Sequence, residues 1–135
     1  MIVTDEAVQG SETLRNRLVE MTRDLILIPS TVDHPAEIDR CMEFVINHAE
    51  VSGTVTVHRY RHDHVPCTVL LPAHSAKPAV LLLAHLDVVS SSPSTEYGSA
   101  LRDGKIYGPG AGDMKGELAI LLKVFRAIHE MHPGA

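Results

Sequence analysis

A run of four apolar residues at positions 80–83, followed by Ala84 and His85, is the feature that most constrains the fold. An uninterrupted apolar run is typical of a strand that is covered on both faces, as strands in the middle of an α/β sheet are. Open α/β sheets bind their ligands at the carboxyl ends of the strands, where His85 would lie. The run therefore predicts an α/β fold, with a mixed, mainly parallel sheet and helices on both faces.

The spacing of the other apolar residues predicts three helices. Apolar residues recur every three or four positions over 12–28, up to Pro29, and the same pattern runs from Pro35 to Gly53 and over 114–131. The second helix should bury Ile38, Cys41, Met42, Val45 and Ala49, and the third Met114, Leu118, Leu121, Leu122, Phe125 and Ile128.

The remaining elements are predicted to be strands. β-Branched and apolar residues predict strands at 54–60, 67–71 and 79–84, and the pair Asp103-Gly104 predicts the turn of a small hairpin over 101–107. The order of elements is thus two helices, three strands, a hairpin and a final helix, which is compatible with the α/β fold.

Composition excludes several classes of protein. A chain of 135 residues is the length of one domain, and its net charge of −5 provides no basic surface for nucleic acid. The apolar runs are too short to cross a membrane. Cys41 and Cys67 have neither metal-site nor disulfide-framework spacing, so a reduced, cytoplasmic protein is expected.

Two acidic motifs carry the predicted chemistry. His85 and Asp87 are two residues apart, so on a strand their side chains point to the same side. Asp87 could then orient the imidazole of His85, which is the usual arrangement behind a metal-bound histidine. Asp113 follows a turn that contains three glycines and directly precedes the third helix. Together they predict part of a metal-hydrolase site.

These residues have other possible interpretations. Asp113 could instead cap the third helix, and a lone histidine at a strand end is more often structural than a ligand. Lys115 and Gly116 are expected to serve turn geometry and close backbone approach. His62 and His64 could bind adventitious metal on a loop, but they are expected to be solvated surface residues. The three glycines do not have the spacing of a dinucleotide-binding loop, because Asp113 occupies the position of that loop's third glycine.

Three motifs in order resemble the co-catalytic di-zinc metallopeptidase and deacylase family, which includes acetylornithine deacetylase, succinyl-diaminopimelate desuccinylase, aminoacylase and glutamate carboxypeptidase. They are His-x-Asp-Val-Val at 85–89, Asp-Gly-Lys-x-Tyr-Gly at 103–108 and Gly-Ala-x-Asp-Met-Lys-Gly at 110–116. Ile28-Pro29-Ser30 is a weaker fourth match. Pro109 stands where the family commonly has Arg, and the serine-rich loop at 90–95 lacks a Trp that is often found there.

The resemblance implies the roles of the site residues and the cofactor. His85 would bind one metal ion, Asp113 would bridge two, and Asp87 would be the catalytic residue that orients His85. The cofactor would be Zn²⁺, two ions in the complete site, with Co²⁺ as an alternative. The substrates would be small N-acyl amino acids or short peptides, and neither nucleic acid nor a membrane is an expected partner. A homodimer is expected of the full-length protein.

The resemblance covers the N-terminal part of such a catalytic domain. The family's general-base Glu, its remaining ligands and its lid or dimerisation domain come later than residue 135. We therefore expect residues 1–135 to be one incomplete part of a zinc-dependent amide hydrolase, inactive by itself. The alternative is a truncated, catalytically inert domain or an interaction module.

Overall fold

The computed structural model describes residues 5–49, 55–63, 65–73, 78, 80–89 and 97–132. In chain order the elements are α1 (Asp5–Ile26), α2 (Pro35–Ala49), β1 (Val55–His62), β2 (Val65–Pro72), β3 (Ala100–Arg102), β4 (Lys105–Tyr107) and α3 (Lys115–Met131). All three predicted helices are present, and the predicted end of the second, at 50–53, lies outside the described residues. α1 begins at Asp5 rather than residue 12. The sequence prediction missed this start because residues 5–11 carry no apolar periodicity.

The core lies between the three helices. α3 packs against both α1 and α2, and α2 also packs against β2. The buried cluster consists of Leu25, Ile28, Cys41, Val45, Ala49, Leu86, Leu118, Ala119 and Leu122. Leu86 brings the segment that carries His85 into this core, so the fold places the first motif against the helices.

The buried face of α3 differs in part from the predicted one. Leu118 and Leu122 are buried as expected, but Ile128 is 41% exposed and His129 is buried in its place. The ring of His129 lies against that of Phe125, and its Nδ1 forms a hydrogen bond with the Phe125 carbonyl oxygen at 2.9 Å. Only Nδ1 has a partner, because no group in the described residues forms a hydrogen bond with the buried Nε2. Apolar periodicity does not predict that such a polar ring is buried.

The strands form two separate antiparallel pairs. β1 pairs with β2 so that Val55 lies opposite Pro72 and His62 opposite Val65. Ion pairs between Glu43 and Arg59 and between Asp39 and Arg61 connect α2 to β1. These pairs are exposed, so each contributes little to the free energy of unfolding.

The predicted hairpin around Asp103-Gly104 is confirmed. β3 pairs with β4, and Arg102 lies opposite Lys105. Asp103 has φ 50° and Gly104 has φ 72°, which are the two positive angles of a type I′ turn. This turn twists in the sense that the two strands require, and the pair of residues is therefore a reliable turn signal.

The strand predicted at 79–84 is not formed in the described residues. Residues 80–89 belong to neither helix nor strand, and Leu81 and Leu83 are 81% and 79% exposed. A buried central strand needs hydrogen-bonded neighbours on both sides, and no strand of the described ranges pairs with this run. Both sheets in those ranges are antiparallel, so the mainly parallel sheet is not seen there. Residue 79 itself lies outside the described residues.

No helix within these ranges is both long and apolar enough to span a lipid bilayer.

Candidate functional site

Residues 85–88 alternate between the core and the surface. Leu86 and Val88 are buried, whereas His85 and Asp87 are exposed. Two hydrogen bonds to Ser30 fix this alternation. The Ser30 hydroxyl donates to the Leu86 carbonyl oxygen at 2.6 Å, and the Val88 N–H donates to the Ser30 carbonyl oxygen at 2.9 Å. His85 and Asp87 consequently lie on the same side of the chain, as the sequence predicted.

The structure brings His85 and Asp113 together. Nε2 of His85 is 3.0 Å from Oδ1 of Asp113, although the residues are 28 positions apart. The backbone N–H of His85 also donates to the sulfur of Met114 at 3.2 Å. Both the ring and the main chain of His85 therefore contact the turn that precedes α3.

The second ring nitrogen of His85 contacts Asp87. Nδ1 is 3.1 Å from the main-chain carbonyl oxygen of Asp87 and 3.4 Å from its carboxylate Oδ1. The carbonyl oxygen can only accept, so this contact places the proton of a neutral imidazole on Nδ1. Nε2 then has a free lone pair facing Asp113, which is the state that a metal ligand needs.

The acidic surroundings raise the pKa of His85 above its ordinary value of 6.5. The hydrogen bond to Asp113 is the largest cause, and partial burial opposes it. The Asp87 carbonyl oxygen and the charges of both carboxylates raise the pKa further. The pair can thus hold either a proton or a cation between Nε2 and Oδ1.

Asp113 does not cap α3. The N-cap position is Met114, which makes no side-chain capping hydrogen bond, and the peptide bond between Asp113 and Met114 is cis. The carboxylate of Asp113 is 87% exposed and contacts His85 instead. The helix-cap interpretation of Asp113 is therefore wrong.

The His85–Asp113 pair matches the donors that zinc prefers. An imidazole nitrogen and a carboxylate oxygen bound at about 2.0–2.2 Å to one tetrahedral ion would be about 3.3 Å apart. The observed 3.0 Å is within a few tenths of an ångström of that separation. Within the described ranges, however, no group of three or more His, Cys, Asp or Glu side chains is placed to hold a metal ion. The pair fits as two ligands of a larger set.

The structure describes one of the two other candidate histidines, His62. His62 is on the β1–β2 hairpin, where its side chain is 95% exposed and lies 3.4 Å from the Asp63 carboxylate. His64 lies outside the described residues. His62 is thus a solvated surface residue, as predicted.

The side chain of Lys115 is fully buried, which the sequence did not predict. Its Nζ donates to the carbonyl oxygens of Leu25 at 2.8 Å and Ile28 at 2.6 Å. These carbonyls belong to the end of α1 and the residues just after it, where a cation is favoured by the helix dipole. Burial lowers the pKa of Lys115. Residue type does not distinguish a buried lysine from an exposed one, so the sequence pattern does not predict this contact.

Gly116 allows the close backbone approach that was predicted for it. A Cβ at this position would lie 2.6 Å from the Ala111 carbonyl oxygen, closer than real Cβ atoms come. Gly116→Ala is therefore expected to lower the free energy of unfolding by about 1–2 kcal/mol, although Ala normally favours a helix over Gly. Urea unfolding measures this difference.

Gly112→Ala is the matched control for that substitution. A Cβ at Gly112 has no neighbour within 4 Å, so this change should alter the free energy of unfolding by less than about 0.5 kcal/mol. Equal effects of the two substitutions would contradict the close approach at Gly116.

The segment that carries the motifs matches a known protein family. Residues 81–135 match the sequence profile of Peptidase family M20/M25/M40. A succinyl-diaminopimelate desuccinylase of Xanthomonas campestris is 41% identical over 68 residues, which is 44% of this chain and 18% of the relative.

Two further relatives extend the similarity over most of the chain. Both are named succinyl-diaminopimelate desuccinylase. The one from Methylobacillus flagellatus is 30% identical over 89% of this chain, and the one from Xylella fastidiosa is 32% identical over 87%. The chain spans a third or less of the length of these relatives. The segment that contains His85, Asp87 and Asp113 thus matches Peptidase family M20/M25/M40, and the relatives extend the similarity toward the N-terminus.

Proposed function

We propose that this chain supplies two metal ligands to a zinc-dependent hydrolase of amide bonds in small N-acyl amino acids or short peptides. The ligands are His85 and Asp113, and Asp87 orients His85. The name of the relatives, succinyl-diaminopimelate desuccinylase, points to N-succinyl amino acids as the first substrates to test. The observation that carries the proposal is the 3.0 Å separation of Nε2 and Oδ1 in a segment that matches the family.

The residues of this chain would prepare the site as follows. The main-chain carbonyl of Asp87 keeps the proton of His85 on Nδ1, so Nε2 remains free to bind. Asp113 would provide a carboxylate to hold the metal ions that the resemblance implies. Zinc bound there would supply a hydroxide nucleophile at neutral pH and polarise the amide carbonyl. The resemblance also implies a second ion, a general-base Glu and further ligands. Residues 1–135 contain no motif for this Glu or for these ligands.

The mainly parallel sheet belongs to the same proposal. An apolar run whose Leu81 and Leu83 side chains are largely exposed needs strands or helices to cover it. We infer that residues 80–84 form a central strand in the complete catalytic domain, of which this chain is the N-terminal part. Zinc as the metal, a cytoplasmic location and a homodimer stay predictions.

The alternative is an inert folded domain or interaction module. In its favour, the described residues provide only two of the three protein ligands that a catalytic zinc normally has. The two functions differ in what the reading frame encodes after residue 135. A Glu-Glu pair and a later His would favour the enzyme, and a stop codon there would favour the inert domain.

The proposed activity is tested on the product of the complete reading frame that encodes this chain. The protein should release the free amine from N-succinyl-diaminopimelate or N-acetylornithine. A chelator should abolish this activity, and added Zn²⁺ should restore it. The His85→Ala variant should be inactive. The 135-residue chain should hydrolyse these substrates at no useful rate, because it has no motif for the general-base Glu. General-base catalysis alone typically raises the rate about 10²–10⁴-fold. An intact, zinc-loaded full-length protein without amidohydrolase activity would contradict the proposal.

A further inference from the structure

Two buried side chains tie both halves of the candidate site to one short stretch of chain. This stretch, the 25–30 segment, comprises the last two residues of α1 and the four that follow. Ser30 bonds to the segment that carries His85, and Lys115 reaches back from the turn that carries Asp113 to Leu25 and Ile28. The contacts connect residues that are 56 to 90 positions apart in the sequence.

These hydrogen bonds are shielded from water. Ser30 and Lys115 are both 0% exposed. The Lys115 ammonium makes charge-assisted hydrogen bonds, which are roughly twice as strong as neutral ones. Ser30 makes one bond through its hydroxyl and one through its carbonyl oxygen, so it holds residues 86 and 88 at once. These contacts are therefore suited to hold the backbone of the two ligand-bearing segments in a fixed position.

The two candidate ligands lie next to these fixed points. Leu86 is one residue from His85, and Lys115 is two residues from Asp113. The side chains of His85 and Asp113 are 46% and 87% exposed, so packing of the side chains themselves holds them only weakly. Their separation must depend largely on where their backbones are anchored.

We propose that Ser30 and Lys115 are positioning residues, which set the separation of His85 Nε2 and Asp113 Oδ1 through the 25–30 segment. The consequence for zinc rests on the proposed function, whereas the geometry itself does not. Ser30 acts on the His85 side and Lys115 on the Asp113 side. Neither touches a reacting atom.

The substitutions that test this are Ser30→Ala and Lys115→Met. Both carbonyls that Lys115 contacts also accept a backbone N–H, from Ile28 and from Ser30, so Lys115→Met leaves neither without a partner. Ser30→Ala removes the hydroxyl but keeps the backbone bond to Val88. Both variants can therefore be expected to fold.

Thr22→Val is the matched control. Thr22 is also buried, but its hydroxyl donates to the Leu18 carbonyl oxygen within α1 and anchors neither ligand-bearing segment. It removes one buried hydroxyl, as Ser30→Ala does. A purely structural role of Ser30 and Lys115 would give the same pattern of effects as this control.

Two readouts are compared with the free energy of unfolding. The first is the affinity for Zn²⁺ alone, which should fall about tenfold in Ser30→Ala and about 10–100-fold in Lys115→Met, as for residues that orient ligands. The second is measured without metal: the nuclear Overhauser effect between the Met114 methyl group and the His85 amide proton should weaken in both variants. Thr22→Val should leave both readouts unchanged at a similar loss of stability.

The outcomes separate this proposal from the proposed function. Folded Ser30→Ala and Lys115→Met with parental zinc affinity and a parental Overhauser effect would overturn the positioning role. So would zinc affinity that falls equally in Thr22→Val. If His85→Ala binds zinc as well as the parent, the metal site is wrong, and the metal-free Overhauser effect alone then decides the positioning role. If Lys115→Met does not fold, Ser30→Ala decides it.

Discussion

His85→Ala is expected to weaken the binding of Zn²⁺ to this chain by about 100-fold or more. Loss of a residue that merely orients a ligand already reduces metal affinity by about 10–100-fold, and loss of the ligand itself should exceed that range. The parental affinity should be low, because the described residues offer only two ligands. Calorimetric titration with Zn²⁺ measures the difference, and Asp113→Ala should have a comparable effect.

Two further variants make this titration specific. Asp87→Ala should weaken binding only about tenfold, at the lower end of that range, because His85 Nδ1 keeps the main-chain carbonyl of residue 87 as its partner. His62→Ala is the control, since His62 is an exposed histidine on the β1–β2 hairpin, and its recorded ion pair is with Asp63. Zinc binding that survives His85→Ala and disappears in His62→Ala would place the metal on the hairpin instead.

Zinc affinity is expected to fall steeply with acid, starting at a pH above 6.5. A proton and a metal ion compete for Nε2 of His85, and the pKa of His85 is raised in the folded protein, chiefly by Asp113. Below that raised pKa, the affinity should decrease about tenfold for each pH unit. Titrations at several pH values give the midpoint. Asp113→Asn removes the largest cause of the shift, so its midpoint should move down toward 6.5.

The raised pKa of His85 makes the stability of the metal-free protein respond to pH in the opposite direction to the zinc affinity. Because the pKa of His85 is higher in the folded than in the unfolded state, its stabilising contribution is fully present below pH 6.5. The contribution is lost as pH rises through the folded-state pKa. Metal-free and zinc-bound protein should therefore respond to pH in opposite directions, which unfolding curves with and without Zn²⁺ can distinguish. A midpoint for zinc binding at or below 6.5 in the parent would contradict the influence of Asp113.

Local patterns predicted the local structure of this chain well. The helices followed from their apolar periodicity, since their buried residues must recur on one face. The hairpin followed from Asp103-Gly104, because few residue pairs accept two positive φ angles. The contact between His85 and Asp113 followed from the resemblance, and their roles as ligands stay predictions.

Contacts between distant segments could not be predicted in this way. Ser30 and Lys115 have ordinary polar letters, and only the fold shows that both are buried and bonded across the molecule. The contact between His85 and the main-chain carbonyl of Asp87 does not involve a side chain of residue 87, so the residue type cannot predict it. The strand predicted at 79–84 is not formed in the described residues for a related reason. An apolar run indicates that other elements must pack on it, but it does not indicate which elements do so.

The anchoring of both motifs to the end of α1 limits how the candidate site could be moved to another protein. A synthetic peptide of residues 81–116 contains the three ordered motifs in full, yet it lacks Ser30 and the carbonyl acceptors of Lys115. Such a peptide should not keep His85 and Asp113 within 3.0 Å of each other. The smallest transplantable unit consists of three separate pieces: the end of α1 with Ser30, the His85 segment, and the turn into α3. A designer would have to graft all three in register.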